Sequence, residues 1–184
     1  MRIGRSSCIK YSLEAQGRVC DYICGFEESY GYLTGSYVRD KDGVNAAYLI
    51  CEMFAFYKSR GISLLDKLNE LYKTYGYCLN TLHSYEFDGS AGMAKMKAIM
   101  EKFHKGLSSI AGFKVVKTLD YSHGLDGLPA SDVLKFILEN GSVVIRPSGT
   151  EPKLKAYISV TADNKEKATV IEKAITSELS ELLK

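Results

Sequence analysis

The stretch Arg146-Pro-Ser-Gly-Thr-Glu-Pro-Lys-Leu-Lys-Ala-Tyr157 gathers anion-binding groups into one tight turn and then alternates like a strand. Arg146 carries a planar, permanently charged fork of donors that suits phosphate oxygens, and Ser148 and Thr150 add hydroxyls. Pro147 fixes its own φ, while Gly149 lets backbone N–H groups approach a ligand closely. Such a turn can act as a concave nest for a phosphate, although the pentapeptide alone reads equally well as a charged surface turn. Beyond it, Leu154, Ala156, Ile158 and Val160 alternate with Lys153, Lys155, Tyr157 and Ser159, the period of a half-buried strand. Before it, Val143-Val-Ile145 is a β-branched run entered from Asn140-Gly141, a two-residue hairpin signal. The turn is therefore expected to join two strands at a sheet edge, presented on a rigid support.

A second segment, Gly25-Phe-Glu-Glu-Ser-Tyr-Gly-Tyr32, sets two carboxylates and a hydroxyl among glycines. Carboxylate oxygens accept from O–H groups and the glycines let a loop curl around a ring, which suits the vicinal hydroxyls of a sugar. Alone, the string is also a common solvated turn. Arg39-Asp-Lys-Asp-Gly-Val44 follows and by itself reads as a mixed-charge helix entry.

With its flanks, the Arg146 segment closely resembles the phosphate-binding loop in the last domain of the α-D-phosphohexomutases, the phosphoglucomutase and phosphomannomutase family. The 25–32 segment resembles the sugar-binding loop of that family's third domain. The charged segment after it resembles one that the phosphoglucomutase branch places next, where the lysine matching Lys41 lies at the substrate. Two loops of the right kind, in the right order and at a family-like separation, make the resemblance specific from about Gly25 onward. Residues 1–24 carry no motif. The resemblance implies that Glu27 and Ser29 hold sugar hydroxyls, with Lys41 the one candidate for a catalytic part, and that Arg146, Ser148, Gly149 and Thr150 hold the phosphate that is not reacting. It further implies a parent enzyme that moves a phosphoryl group between the 1- and 6-positions of a hexose through a phosphoserine. That chemistry depends mostly on positioning and charge, with the last domain closing over the substrate.

The family's serine loop, T/S-A-S-H-N-P, and its Mg2+ site, D-G-D-x-D-R, are absent. Ser122-His123 continues into Gly-Leu, and Asp42-Gly43 and Asp126-Gly127 run into Val and Leu. Magnesium sites use carboxylates with phosphate oxygens, and no such cluster is visible, so no metal ligand is assigned. The chain is expected to be the carboxyl-terminal part of a phosphohexomutase, inactive alone, whose partners are a hexose phosphate and the missing amino-terminal domains. The competing reading is a non-catalytic module that senses a phosphosugar. Glucose and mannose share the hydroxyls that the sugar loop contacts.

Composition fits a piece of cytoplasmic enzyme. With 46% hydrophobic and 25% charged residues the 184-residue chain can bury one fair core or two small ones, and a net charge of +2 with interspersed signs argues against a nucleic-acid partner. Met1 to Arg5 lack the apolar stretch of a secretory signal, and Val44 to Tyr57 is interrupted by Glu52 and too short for a bilayer, so no membrane partner is expected. The five cysteines, at 8, 20, 24, 51 and 78, lack framework or zinc spacing and are expected as reduced core thiols. His83, His104 and His123 have neither ligand-pair nor triad context.

The fold class expected is α+β: a small TATA-binding-protein-like layer over residues 77–184, an antiparallel sheet with helices on one face, preceded over 1–76 by an incomplete, helix-rich α/β domain. The TATA-binding-protein-like detail comes from the resemblance. In the first part, Val44 to Arg60 is apolar on most faces, the pattern of a buried helix, and stops at Gly61. If the domain is incomplete, that helix carries apolar surface that the missing part covers. Ser63-x-x-Asp66 starts a second helix ending at Gly76, and Tyr72, Tyr75 and Tyr77 are expected to pack rather than bind ligand. In the second part, strands are expected over Tyr77 to Phe87, Phe113 to Tyr121 and Val133 to Leu138, and helices over Gly92 to His104 and from an Asp163/Glu166 capping box onward.

Overall fold

The computed structural model describes residues 10, 12–27, 31–38, 41–148 and 151–183. The chain divides into two compact units, Met1–Asn69 and Glu70–Lys184.

In the first unit, β1 (Cys24–Glu27) and β2 (Gly31–Thr34) form an antiparallel ribbon that leads into α1 (Gly43–Lys58). Asp42 caps α1, its carboxylate accepting from the Asn45 amide at 2.9 Å. The Asn45 side chain in turn donates to the Thr34 hydroxyl, which ties the helix start to β2. Gly61, at φ +70°, ends the segment in the left-handed region. A reciprocal cap follows: Asp66 N donates to Ser63 Oγ at 3.0 Å and Ser63 N to Asp66 Oδ2 at 3.2 Å, opening α2 (Leu64–Tyr75), which runs on into the second unit.

The expected burial of α1 is corrected. Ala46 is its one buried residue, while Val44, Tyr48, Leu49, Ile50, Met53, Phe54 and Phe56 are all exposed, Val44 to 84%. The reason is the amount of sheet: a two-stranded ribbon cannot cover a helix that is apolar around most of its circumference. Exposed patches of this kind drive association. The 184-residue chain is accordingly expected to self-associate, and its removal of residues 1–76 to leave a monomer; light scattering that finds the intact chain monomeric contradicts this. The expected core location is also corrected for four of the five cysteines, because Cys20, Cys24, Cys51 and Cys78 are free and exposed, while Cys8 lies outside the described residues. Cys51 lies on the uncovered α1, and Cys78 on the outward side of an edge strand.

The second unit is built on a six-stranded antiparallel sheet of β3 (Tyr77–Glu86), β4 (Ser109–Ile110), β5 (Phe113–Asp120), β6 (Leu134–Leu138), β7 (Gly141–Pro147) and β8 (Lys153–Ala162), in the spatial order β3-β8-β7-β6-β5-β4. Its inner face, Leu134, Phe136, Val143, Ile145, Leu154, Ala156, Ile158 and Val160, is buried in one cluster with residues of α3 (Gly89–His104) and α4 (Lys165–Leu182). Both helices therefore cover the same face, as the sequence pattern requires. The opposite face carries the alternating polar set, including Lys153, Lys155 and Ser159. Val133 to Leu138 resolves as strand, because β6 pairs with β7 from Leu134↔Ile145 to Leu138↔Gly141. The cap of α4 is Asn164 rather than Asp163: Asn164 accepts from the Lys167 amide at 2.9 Å, and Asp163 instead pairs with Lys167 Nζ at 2.6 Å. Tyr72 and Tyr77 pack ring to ring at 4.5 Å.

Candidate functional site

The loop between β7 and β8 is closed by its own backbone. Arg146 stands opposite Lys155, and Pro147 opposite Leu154, in the last pairs of the hairpin. Ser148 N donates to Lys153 O at 2.8 Å, and Lys153 N to Glu151 O at 2.8 Å. The Pro152 carbonyl accepts from Phe87 N at 2.8 Å, anchoring the loop to the end of β3. Ser148 therefore spends its amide on loop closure and has only its hydroxyl to offer a ligand. Gly149 and Thr150, the other two expected phosphate contacts, lie outside the described residues.

The charges at this turn are unbalanced. Glu151 pairs with Lys153 at 2.7 Å, and its carboxyl is held below the ordinary range first by that hydrogen bond and then by the charges of Lys153 and Lys155. Arg146 and Lys155 face each other across the hairpin, and among the described residues neither forms a close ion pair with a carboxylate, Lys155 acting on Glu151 only through its charge. Like charges directly opposed on a sheet are destabilising. An anion between them would turn that repulsion into attraction. Lys155 was not singled out in the sequence, yet the signal was there: counting back across the turn from Arg146 reaches it on the same outward face.

In the first unit the structure brings Glu27 and Lys41 together. Lys41 Nζ lies 3.6 Å from Glu27 Oε2, an ion pair with both side chains partly open to solvent. Gly31 permits this, since a Cβ there would lie 2.8 Å from Lys41 Cε and 3.2 Å from Glu27 Oε2. Asp42, next to Lys41, both caps α1 and donates its amide to Tyr32 O at 2.7 Å, so Lys41 is fixed between the ribbon and the helix start. Ser29 lies outside the described residues, as do the other two residues of the 28–30 tip. Among the described residues there is no cluster of three or more His, Cys, Asp or Glu side chains able to hold a metal ion. Among them also, no helix is long and apolar enough to cross a membrane.

The hairpin sets two cations opposite each other beside the β7–β8 loop, and the ribbon sets a carboxylate beside a lysine; comparison with known proteins identifies the family. The family description "Phosphoglucomutase/phosphomannomutase, C-terminal domain" matches residues 88–177, and "Phosphoglucomutase/phosphomannomutase, alpha/beta/alpha domain III" matches residues 6–75. A phosphoglucomutase of Staphylococcus haemolyticus is 34% identical over 160 residues, 80% of this chain and 29% of the relative. One from Staphylococcus aureus is 38% identical over 154 residues, 77% of this chain and 28% of the relative. The fold also resembles pp63/parafusin, a phosphoglucomutase of Paramecium in its open form, with a TM-score of 0.65 at 20% identity over 96% of this chain and 32% of that one. The chain belongs to the phosphoglucomutase/phosphomannomutase family and corresponds to its carboxyl-terminal portion. It spans under a third of the length of these relatives.

Proposed function

We propose that the chain supplies substrate recognition to a cytoplasmic hexose-phosphate mutase, which interconverts hexose 1-phosphate and 6-phosphate with Mg2+ and a phosphoserine held elsewhere. Arg146 and Lys155 clamp the phosphate that is not reacting, the Ser148 hydroxyl adds a donor, and Gly149 and Thr150 complete the cradle. Glu27 and Ser29 accept and donate to sugar hydroxyls, and Lys41, drawn toward Glu27, orients that carboxylate and stands nearest to any chemistry. The single observation that carries this reading is the opposed Arg146–Lys155 pair, two cations that form no close ion pair with a carboxylate among the described residues, at the mouth of a closed loop.

Phosphoryl transfer needs in-line positioning of attacking and leaving oxygens as well as charge neutralisation. The residues here provide only the recognition part. The purified 184-residue chain is therefore expected to bind glucose 6-phosphate more tightly than glucose, and to show no mutase turnover with or without Mg2+. Calorimetry and a coupled assay check both points. Equal affinity for glucose and its phosphate removes the phosphate-loop reading, and Mg2+-dependent turnover removes the division of labour.

A further inference from the structure

Where α3 ends, one imidazole touches two carboxylates on different segments. His104 Nδ1 lies 2.8 Å from Asp120 Oδ2, on the last residue of β5, and Nε2 lies 3.1 Å from Asp132 Oδ1, just before β6. Ionised carboxylates only accept, so both contacts are hydrogen bonds at once only when both ring nitrogens carry protons and the ring is an imidazolium. As the last residue of a 16-residue helix, it also meets the negative end of the helix dipole.

The segment between the two carboxylates is the β5–β6 loop, closed at its base by Tyr121 N to Val133 O at 3.0 Å and Ser131 N to Tyr121 O at 2.9 Å. It projects from the same sheet end as the 148–152 turn, because Leu134 pairs with Ile145, two residues before Pro147. α3 crosses that end: it begins just after Phe87, which is bonded to Pro152, and finishes at Asp120 and Asp132. Along its length runs a groove of about 630 Å³ lined by Met93, Met100, His104, Asp132 and Pro147.

We propose that His104 is a positioning residue for the anion site: its imidazolium clamps both stems of the 121–133 loop and so fixes the neighbour of the Arg146 turn. This rests on the reading of that turn as a phosphate site. Burial opposes the charge on His104, but the hydrogen bonds and charges of Asp120 and Asp132 outweigh it and hold the ring above its ordinary 6.5. A raised pKa means that the clamp is complete below about 6.5 and is lost as pH rises through the higher value. The other charged groups on the groove are Lys97 and Glu101, from the same helix; β7 contributes only Pro147.

The test is binding of inorganic sulfate to the full chain, followed by NMR from about pH 6 to about pH 9, since sulfate stays doubly charged and the pH response belongs to the protein. Wild-type affinity is expected to fall about three- to tenfold across this range. His104→Ala should bind weakly throughout without that step. His104→Arg, a permanent cation with two faces of donors, should restore binding and also abolish the step. Ring nitrogen-15 shifts should show both nitrogens protonated at the low end of the range. Sulfate binding that needs Arg146 but is indifferent to His104→Ala, or a neutral His104 ring at the low end, overturns this proposal alone. No sulfate binding by the wild type at any pH overturns both this proposal and the phosphate-loop reading.

Discussion

Arg146→Ala is expected to weaken hexose-phosphate binding by a factor of roughly ten to a hundred, and Arg146→Lys nearly as much. A hydrogen bond to a charged group contributes about 1.5–3 kcal/mol, which sets the scale. Lysine keeps the charge but loses the planar fork that grips two phosphate oxygens together, so charge alone does not rescue the site. Lys155→Ala, removing a point charge from the facing position, is expected to cost less than Arg146→Ala. Ser148→Ala should cost least, because the loop is closed by the Ser148 amide, which the substitution keeps. Calorimetric titration of the four variants with glucose 6-phosphate gives the order; a lysine at 146 that binds like wild type removes the bidentate argument.

Gly141→Ala is expected to be the most damaging substitution for stability, at about 3 kcal/mol or more. A Cβ at this position would lie 2.0 Å from the Ser159 carbonyl oxygen and 3.1 Å from Val160 Cα. Both belong to the backbone of β8, an interior strand of the sheet, and Gly141 is in phase with the buried Val143 and Ile145, so no side chain can swing aside. Relief requires β7 and β8 to part at the end where Gly141 pairs with Val160. Gly43→Ala, at a helix start with nothing within 4 Å of the added atom, serves as the control and should be neutral or slightly stabilising. Urea unfolding followed by circular dichroism compares the two. Equal midpoints for Gly141→Ala and wild type would show that the hairpin gives way more easily than its geometry implies.

Gly141 also shows how sequence reading succeeds for a reason that needs refinement. Asn140-Gly141 correctly marks a hairpin, but Leu138 pairs with Gly141, so the two turn residues are Glu139 and Asn140. The glycine serves close approach of two strands, which depends on a partner some 20 residues away and leaves no local trace. Alternation in 153–160 fixed which side of β8 is core, because period two has one physical meaning in a one-sided sheet. The exposure of α1 is not a local property: the same apolar helix is buried or bare according to how much sheet is present to cover it. Arg146 was legible as a charged donor in a turn marked by Pro147 and Gly149, and Glu27 with Lys41 through a resemblance. Lys155 required the hairpin register. His104 was passed over because its two partners, Asp120 and Asp132, are 16 and 28 residues away and meet it only through tertiary packing.

The claim on which the rest stands is that phosphate is held at the β7–β8 loop through Arg146. An amide NMR titration of the full chain with glucose 6-phosphate tests it residue by residue. The largest shifts are expected at Ser148, Gly149, Thr150 and Lys155, and they should vanish in Arg146→Ala while the remaining spectrum stays in place. Shifts at Gly149 and Thr150 that persist unchanged without the guanidinium, or that appear only in other parts of the chain, contradict the account.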